Sequence, residues 1–238
     1  LNGCSFTQTP YSRPEAKIHK AWNEQAEAKT IETDHWWQPF GDAQLDRLIS
    51  TALERNTDLA VAALQVRKAG LQAQLAESDL LPSINVGGSG ELSRNLGSSS
   101  KESRSFQAAT TVSYEVDLWN RLGSTADSAR WEAVATEEDR QGVALSLTAT
   151  TASLYWQIGY LNQRVNLSQA SIDYARQTLN LVRVQKAAGA ATSLEILEAE
   201  RNLASQEASH TQLLQQRTEA RNSLAILLDG PPQSAQTE

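Results

Sequence analysis

Two stretches of the chain alternate apolar and polar side chains, and three longer ones repeat apolar residues at helical spacing. Between residues 84 and 96 the even positions read Ile84, Val86, Gly88, Gly90, Leu92, Arg94 and Leu96, with Asn85, Gly87, Ser89, Glu91, Ser93 and Asn95 between them. Between 104 and 118 the even positions read Arg104, Phe106, Ala108, Thr110, Val112, Tyr114, Val116 and Leu118. Against these stand Ser105, Gln107, Ala109, Thr111, Ser113, Glu115 and Asp117. A period of two predicts strands, because successive side chains leave a pleated backbone on opposite sides. The small polar segment 97–103, Gly-Ser-Ser-Ser-Lys-Glu-Ser, joins them as a hairpin. Both runs exceed the usual strand of about five or six residues and reach the roughly nine to eleven that a tilted strand needs to cross a bilayer. A surface hairpin with one face on a soluble core would show the same alternation, so the pattern alone leaves both readings open.

The helical pattern predicts a first helix over 43–78, with Leu45, Leu48, Ile49, Ala52, Leu53, Leu59, Ala60, Ala63, Leu64, Leu71 and Leu75 on one face and Asp42 as its N-cap. Pro82 lacks a backbone donor and biases its predecessor toward extended geometry, so the helix ends where the first strand starts. A second helix is expected over 124–186. Within it Leu154, Ile158, Leu161, Val165, Ser168, Ile172, Ala175, Leu179 and Val182 alternate steps of four and three, a heptad seam for a neighbouring helix. Gly189 marks a turn over 187–191, and Thr192-Ser193-Leu194-Glu195 is a capping box that restarts a helix to about residue 228, before Gly230-Pro231-Pro232. At about 1.5 Å per residue these helices span roughly 55, 95 and 55 Å. The two shorter ones are expected end to end beside the long one, as a rod with the hairpin at one end. The return helix is crowded by Glu198, Glu200, Arg201, Gln206, Glu207, Gln212, Gln215, Gln216 and Arg217, which suit one solvated face and another facing a water-filled tunnel between copies.

Composition removes several function classes. Twenty-eight acidic against 21 basic residues leave no basic field for nucleic acid. No apolar run approaches the roughly 18 to 20 residues of a transmembrane helix, so a helical membrane protein is excluded. His19, His35 and His210 stand in no metal-ligand spacing, and neither a phosphate-binding glycine loop nor a nucleophile elbow occurs. Acid pairs such as Glu137 and Glu138 fit solvated helix faces, and the expectation is a non-enzyme without cofactor or metal.

The single cysteine, Cys4, cannot form an internal disulfide. Leu1-Asn2-Gly3-Cys4 resembles a bacterial lipobox, with an apolar residue three positions before the cysteine and a small one just before it. The resemblance implies a lipidated Cys4, anchored by acyl chains at about 0.8 kcal/mol per buried methylene. Ser5 in place of aspartate resembles the outer-membrane sorting pattern. An ordinary cysteine near a terminus is the alternative. The expected organisation is an arm over 1–41 with its lipid anchor implied by the lipobox resemblance, a first helix over 42–81, a strand hairpin over 82–119, a long helical hairpin over 120–230 and a tail over 231–238.

Four segments carry a family resemblance across nearly the whole chain: Trp36-Trp37-Gln38-Pro39-Phe40-Gly41-Asp42-Ala43-Gln44-Leu45-Asp46-Arg47-Leu48-Ile49; Leu81-Pro82-Ser83; Tyr114-Glu115-Val116-Asp117-Leu118-Trp119-Asn120-Arg121-Leu122; and Gly189 followed by Ser193-Leu194-Glu195-Ile196-Leu197-Glu198-Ala199-Glu200. In this order they resemble the TolC-like outer-membrane efflux channels, in the lipoprotein branch that works with resistance-nodulation-division pumps. The implied fold is mainly α with a β-hairpin: long coiled-coil helices of an α-barrel plus two strands of a trimeric outer-membrane β-barrel. Asn120 stands where the family usually has glycine, and asparagine also tolerates left-handed geometry. Family members carry two tandem copies of the helix, strand, strand, helix, helix unit and close a twelve-stranded barrel with four strands per protomer. This chain carries one of the two repeats, which reads as the N-terminal half of a protomer.

The resemblance implies passive export of drugs, dyes or metal ions from a periplasmic tunnel to the exterior. Implied partners are two further copies of the complete protein, a periplasmic adaptor, an inner-membrane pump and outer-membrane lipid. Asn85, Ser89, Glu91, Ser93, Gln107, Thr111, Ser113 and Glu115 are the candidates for the pore lining. Ile84, Val86, Leu92, Phe106, Val112 and Tyr114 are the candidates for lipid, and the turn with Gly189, Thr192 and Ser193 for the adaptor. A lipid-anchored periplasmic coiled-coil adaptor, or a helical interaction protein, is the competing reading; an adaptor would need several further short strands for its globular domains.

Overall fold

The computed structural model describes Glu15 and residues 35–94 and 102–231. Cys4, the arm before residue 35, the tip of the strand hairpin and the tail after residue 231 lie outside the described residues. The elements are α1 (Ala43–Arg55), α2 (Thr57–Ser78), β1 (Ser83–Arg94), β2 (Glu102–Ser113), α3 (Arg121–Ala187) and α4 (Ser193–Leu227), with a 3-10 turn at Gln38–Phe40 before them. The contacts form two compact units, one containing Ala62–Asp139 and the other Glu27–Val61 with Arg140–Glu238.

The helix expected over 43–78 is two helices, divided at Asn56. Asn56 closes α1 through its N–H to the Ala52 carbonyl (2.9 Å) and opens α2 by accepting the Leu59 N–H on Oδ1 (3.1 Å). Its Nδ2 donates to the carbonyl of Leu227 at the end of α4 (3.2 Å). Periodicity could not show this break, and beyond it the predicted apolar face is not the buried one: Leu64, Leu71 and Leu75 are exposed, while Ala62, Ala69 and Ala73, on the other side of α2, are buried. The signal was the residue type, because asparagine competes with helix through its own side chain and favours caps.

In the first unit α2 runs beside the start of α3. Ala62, Ala69 and Ala73 are buried on α2, as are Leu122 and Ala126 on α3, and small residues let the two backbones approach. Arg130 Nε reaches Glu77 Oε1 at 2.5 Å across the pair. The helix α3 starts at Arg121, three residues earlier than its pattern predicts, because Asp117 caps it. Asp117 Oδ1 accepts the Arg121 N–H (2.6 Å) and Oδ2 the Gly123 N–H (2.9 Å). Asn120 adopts the expected left-handed geometry with φ 55°, and a side chain at Gly123 would collide with its Oδ1.

In the second unit Trp37, Leu45, Ile49 and Ala152 form one buried cluster, and Ile158, Leu161, Ala220, Leu224 and Ala225 another. The predicted heptad of α3 is the inner face here: Ile158, Leu161, Val165, Ile172, Ala175 and Leu179 are buried, and Leu154, Ser168 and Val182 half-buried. Asp42 caps α1 as expected, accepting from the N–H groups of Gln44 (2.9 Å) and Leu45 (3.1 Å) on Oδ1, while its Oδ2 accepts the Tyr155 hydroxyl (2.6 Å). Trp36 Nε1 donates to Thr148 Oγ1 at 3.3 Å, so the tryptophan pair is fastened to α3 by both packing and a hydrogen bond.

The Tyr155 hydroxyl, followed by the Leu45 N–H, holds the Asp42 carboxyl below its usual range. A depressed carboxylate stabilises the fold fully above its ordinary value of 3.8 and loses that contribution as pH falls through the lower folded value. Tyr155→Phe should therefore lower the thermal midpoint of the full-length protein above about pH 5, with the gap to wild type closing on acidification. Calorimetry or circular-dichroism melts across that range check this, and a pH-independent gap would show that the hydroxyl acts only by packing.

Candidate membrane-spanning and conduit surfaces

The two strands pair antiparallel, with Ser83 opposite Ser113 and Arg94 opposite Glu102. Even residues therefore always face even residues. On one face Ile84 pairs with Val112, Val86 with Thr110, Gly88 with Ala108, Gly90 with Phe106 and Leu92 with Arg104. On the other, Ser83 pairs with Ser113, Asn85 with Thr111, Ser89 with Gln107, Glu91 with Ser105 and Ser93 with Ser103. The alternation read from sequence thus becomes two surfaces of different chemistry, sharpest where Ile84 and Val112 stand back to back with Asn85 and Thr111. Beside Gly90 the Phe106 ring fills the space a side chain would take, with Cδ1 3.3 Å from where a Cβ would stand.

The second strand ends at Ser113, five residues before its alternation does. Of the residues predicted to line a pore, Asn85, Ser89, Glu91, Ser93, Gln107, Thr111 and Ser113 share the polar face. Glu115 lies beyond the strand, and its two carboxylate oxygens accept from Arg121 Nη2 (2.8 and 2.9 Å). Of those predicted to face lipid, Ile84, Val86, Leu92, Phe106 and Val112 share the apolar face, and Tyr114 follows the strand's last residue. The ladder ends with the pair Ser83 and Ser113, because the partner strand begins there after Pro82, so an alternation in residue type outlasts the strand.

Every residue of both strands is exposed, on both faces, and among the described residues each strand has only one hydrogen-bonded neighbour. A lone two-stranded hairpin is at best marginal in water, and open edges are costlier still in hydrocarbon, at several kcal/mol for each unpaired backbone group. Twelve residues at about 3.3 Å each extend about 40 Å, which at a tilt of about 40° covers the roughly 30 Å of a hydrocarbon core. The hairpin is the right length for a bilayer, and its open edges require further strands.

The helices show the same incompleteness. Along α4, Ile196, Ala199, Leu203, Gln206, His210, Leu213, Arg217, Ala220 and Leu224 recur at alternating steps of three and four and are buried or half-buried. The sequence reading missed this seam because three of its members are polar. His210 Nδ1 lies 2.6 Å from Ser168 Oγ, which also donates to the Val165 carbonyl (2.8 Å). Outside the seam, Arg176 meets Glu207 at 2.9 Å and Arg183 meets Glu200 at 2.7 Å, seven residues apart on both helices (183 − 176 and 207 − 200). So Gln206 and Arg217, read from sequence as solvated or tunnel-facing, sit in the α3–α4 seam, while Glu200 and Glu207 pair across its solvated flank. On α3, Tyr160, Leu167, Tyr174 and Leu181 form a second stripe with a spacing of seven, and it is exposed. A helix with two seams is built for two neighbours.

The turn between α3 and α4 takes the predicted form. Gly189 has φ 76°, a conformation that favours glycine. The Thr192 hydroxyl accepts the Glu195 N–H (3.3 Å), and Glu195 Oε2 accepts the Thr192 N–H (2.5 Å), which with the Thr192 hydroxyl holds the glutamate below its usual range. The Lys186 ammonium donates to Ser193 Oγ. No helix among the described residues is long and apolar enough to cross a membrane.

Comparison with known proteins identifies this arrangement. A search of solved structures finds the Campylobacter jejuni CmeC outer membrane channel, 22% identical with a TM-score of 0.81, covering 97% of this chain and 53% of that one, which shows the fold. The Toxin and drug export protein A of Aggregatibacter actinomycetemcomitans is 34% identical over 84% of this chain and 43% of its own length. The pyoverdine export outer membrane protein OpmQ of Pseudomonas aeruginosa is 34% identical over 99% of this chain and 52% of its own. The chain thus spans about half the length of the relatives it matches. The family described as outer membrane efflux protein matches residues 48–230, and the chain belongs to that family.

Proposed function

We propose that this chain supplies a strand pair and a helical wall segment to an outer-membrane efflux conduit that exports solutes passively. The observation that carries this is the strand hairpin, apolar on one face, polar on the other, exposed on both and open at both edges. Lipid satisfies the first face, lumen water the second, and strands from other polypeptide the edges. The competing adaptor reading has no use for such a hairpin. Conduction needs a closed polar pore rather than reacting groups, so the protein acts as a transporter and not an enzyme. The names of its relatives, for toxin and drug, pyoverdine and cation export, are consistent with drugs or metal ions as cargo, and a trimer of the complete protein, working with a periplasmic adaptor and an inner-membrane pump, is the assembly we infer.

An Arg at position 112 would face hydrocarbon, at about 2 to 4 kcal/mol near the midplane, whereas an Arg at 113 would face water. Val112→Arg should thus abolish recovery of the full-length protein in heat-stable oligomers from outer membranes, and Ser113→Arg should leave it intact; equal tolerance would overturn the face assignment.

The α3–α4 turn, ordered by Gly189 and the Thr192 capping box, is the proposed adaptor contact. Photo-crosslinkers at Ala190 and Ala191 should capture the adaptor in cells, and capture only from positions on the strands would refute the assignment. Cys4 is proposed to carry lipid: radiolabelled palmitate should enter the full-length protein and fail to enter Cys4→Ser. Equal labelling of both would sink the anchor.

A further inference from the structure

The strands sort their charges by face and by height. Among the described strand residues Glu91 alone is charged on the polar face, whereas Arg94, Glu102 and Arg104 all belong to the apolar one. These three stand at the end of the hairpin away from the helices. From Ile84 to Leu92 on β1 and from Phe106 to Val112 on β2 the same face carries no charge. The ten steps from Ile84 to Arg94, at about 3.3 Å each and tilted by about 40°, cover about 25 Å, the height of the apolar band on an outer-membrane barrel. An arginine facing lipid is costly at the midplane and nearly free at the interface, and this is where both arginines fall.

The register brings the two arginines together. Arg94 stands opposite Glu102 and Arg104 opposite Leu92, so Arg94 and Arg104 are diagonal neighbours, about 7 Å apart at their Cβ atoms. Arg104 Nη2 meets Glu102 Oε2 at 3.4 Å, a long contact between two exposed side chains, and among the described residues Arg94 makes no ion pair. One carboxylate between two guanidinium groups leaves positive charge unmatched. Each guanidinium can give parallel N–H bonds to two phosphate oxygens, and its long stem lets it do so from the edge of an apolar wall. Two such groups above Leu92 and Phe106 suit a phosphate whose acyl chains lie along that wall.

We propose that Arg94 and Arg104 bind the phosphate of an anionic lipid in the exterior leaflet, with its acyl chains against Leu92 and Phe106. This rests on the reading that the hairpin spans the outer membrane with its helices on the periplasmic side. Glu102 then holds Arg104 in place when no lipid is bound, and the lipid phosphate replaces that carboxylate as the arginines' partner.

The test reconstitutes the full-length protein in phosphatidylcholine vesicles holding a trace of acyl-chain spin-labelled lipid, and reads the motionally restricted signal of labels that touch protein. Labelled lipid A, whose glucosamines carry phosphate monoesters, should associate about tenfold more strongly than labelled phosphatidylcholine. Its dephosphorylated form should lose that advantage. Arg94→Gln combined with Arg104→Gln should bring lipid A down to the phosphatidylcholine level, while Glu102→Gln should keep or raise its preference. Equal preference in wild type and the double variant, or for the dephosphorylated lipid, would overturn the site. Loss of preference in Glu102→Gln would show that the three residues serve only the hairpin, and displacement by millimolar inorganic phosphate would mean a site for the free ion instead. In each of those cases a restricted phosphatidylcholine signal leaves the spanning reading standing; its absence from the wild type would sink both.

Discussion

The apolar residues of α3 organise the helices within each unit. In one, Leu122 and Ala126 are buried with the alanines of α2, and in the other the heptad receives α1 and α4. Because heptad spacing keeps apolar residues on a narrow line, each contact is thin, and the helices remain widely exposed on their other sides. Large residues such as Leu64 and Leu71 on α2 and Tyr174 on α3 stand in solvent. The energetic consequence is a chain whose own packing uses only part of its apolar surface. The rest is available to neighbours, and wall segments of a conduit need such neighbours on two sides.

The strand hairpin carries the same logic into backbone chemistry. A helix satisfies its amide groups internally, so an exposed helix loses little beyond burial. A strand cannot, and β1 and β2 satisfy only the edges they share. Inside hydrocarbon the remaining donors and acceptors have no water to turn to, so closure with further strands is a condition of insertion. Under the proposed function the apolar face of the hairpin meets lipid and the polar face the lumen.

Polar residues at the joints give this repetitive architecture its specificity. Asp42 joins the start of α1 to Tyr155, Asn56 joins α1, α2 and the end of α4, Asp117 starts α3, and Ser168 meets His210 inside the α3–α4 seam. Each satisfies backbone or side-chain groups that an apolar residue would leave unpaired, and each occurs where apolar packing by itself would permit sliding or continuation.

The period-two runs, the α3 heptad, the Thr192 capping box and the left-handed Asn120 were all legible in the sequence, because each is a local rule in which a residue's neighbours fix its geometry. The break at Asn56 did not show in the periodicity, and its contact with the Leu227 carbonyl, 171 residues away, has no local signal at all. Nor was the α4 seam legible: its Gln206, His210 and Arg217 read as solvent-facing until α3 is laid against them. The end of β2 at Ser113 was hidden by residue types that keep alternating after the hydrogen bonds stop. Sequence by itself determined the paired strands, the inner face of α3 and the α3–α4 turn, because those follow from spacing along one chain. Only tertiary structure decided which polar residues serve the interior and where a strand ends, because a polar group's place depends on the partner that satisfies it.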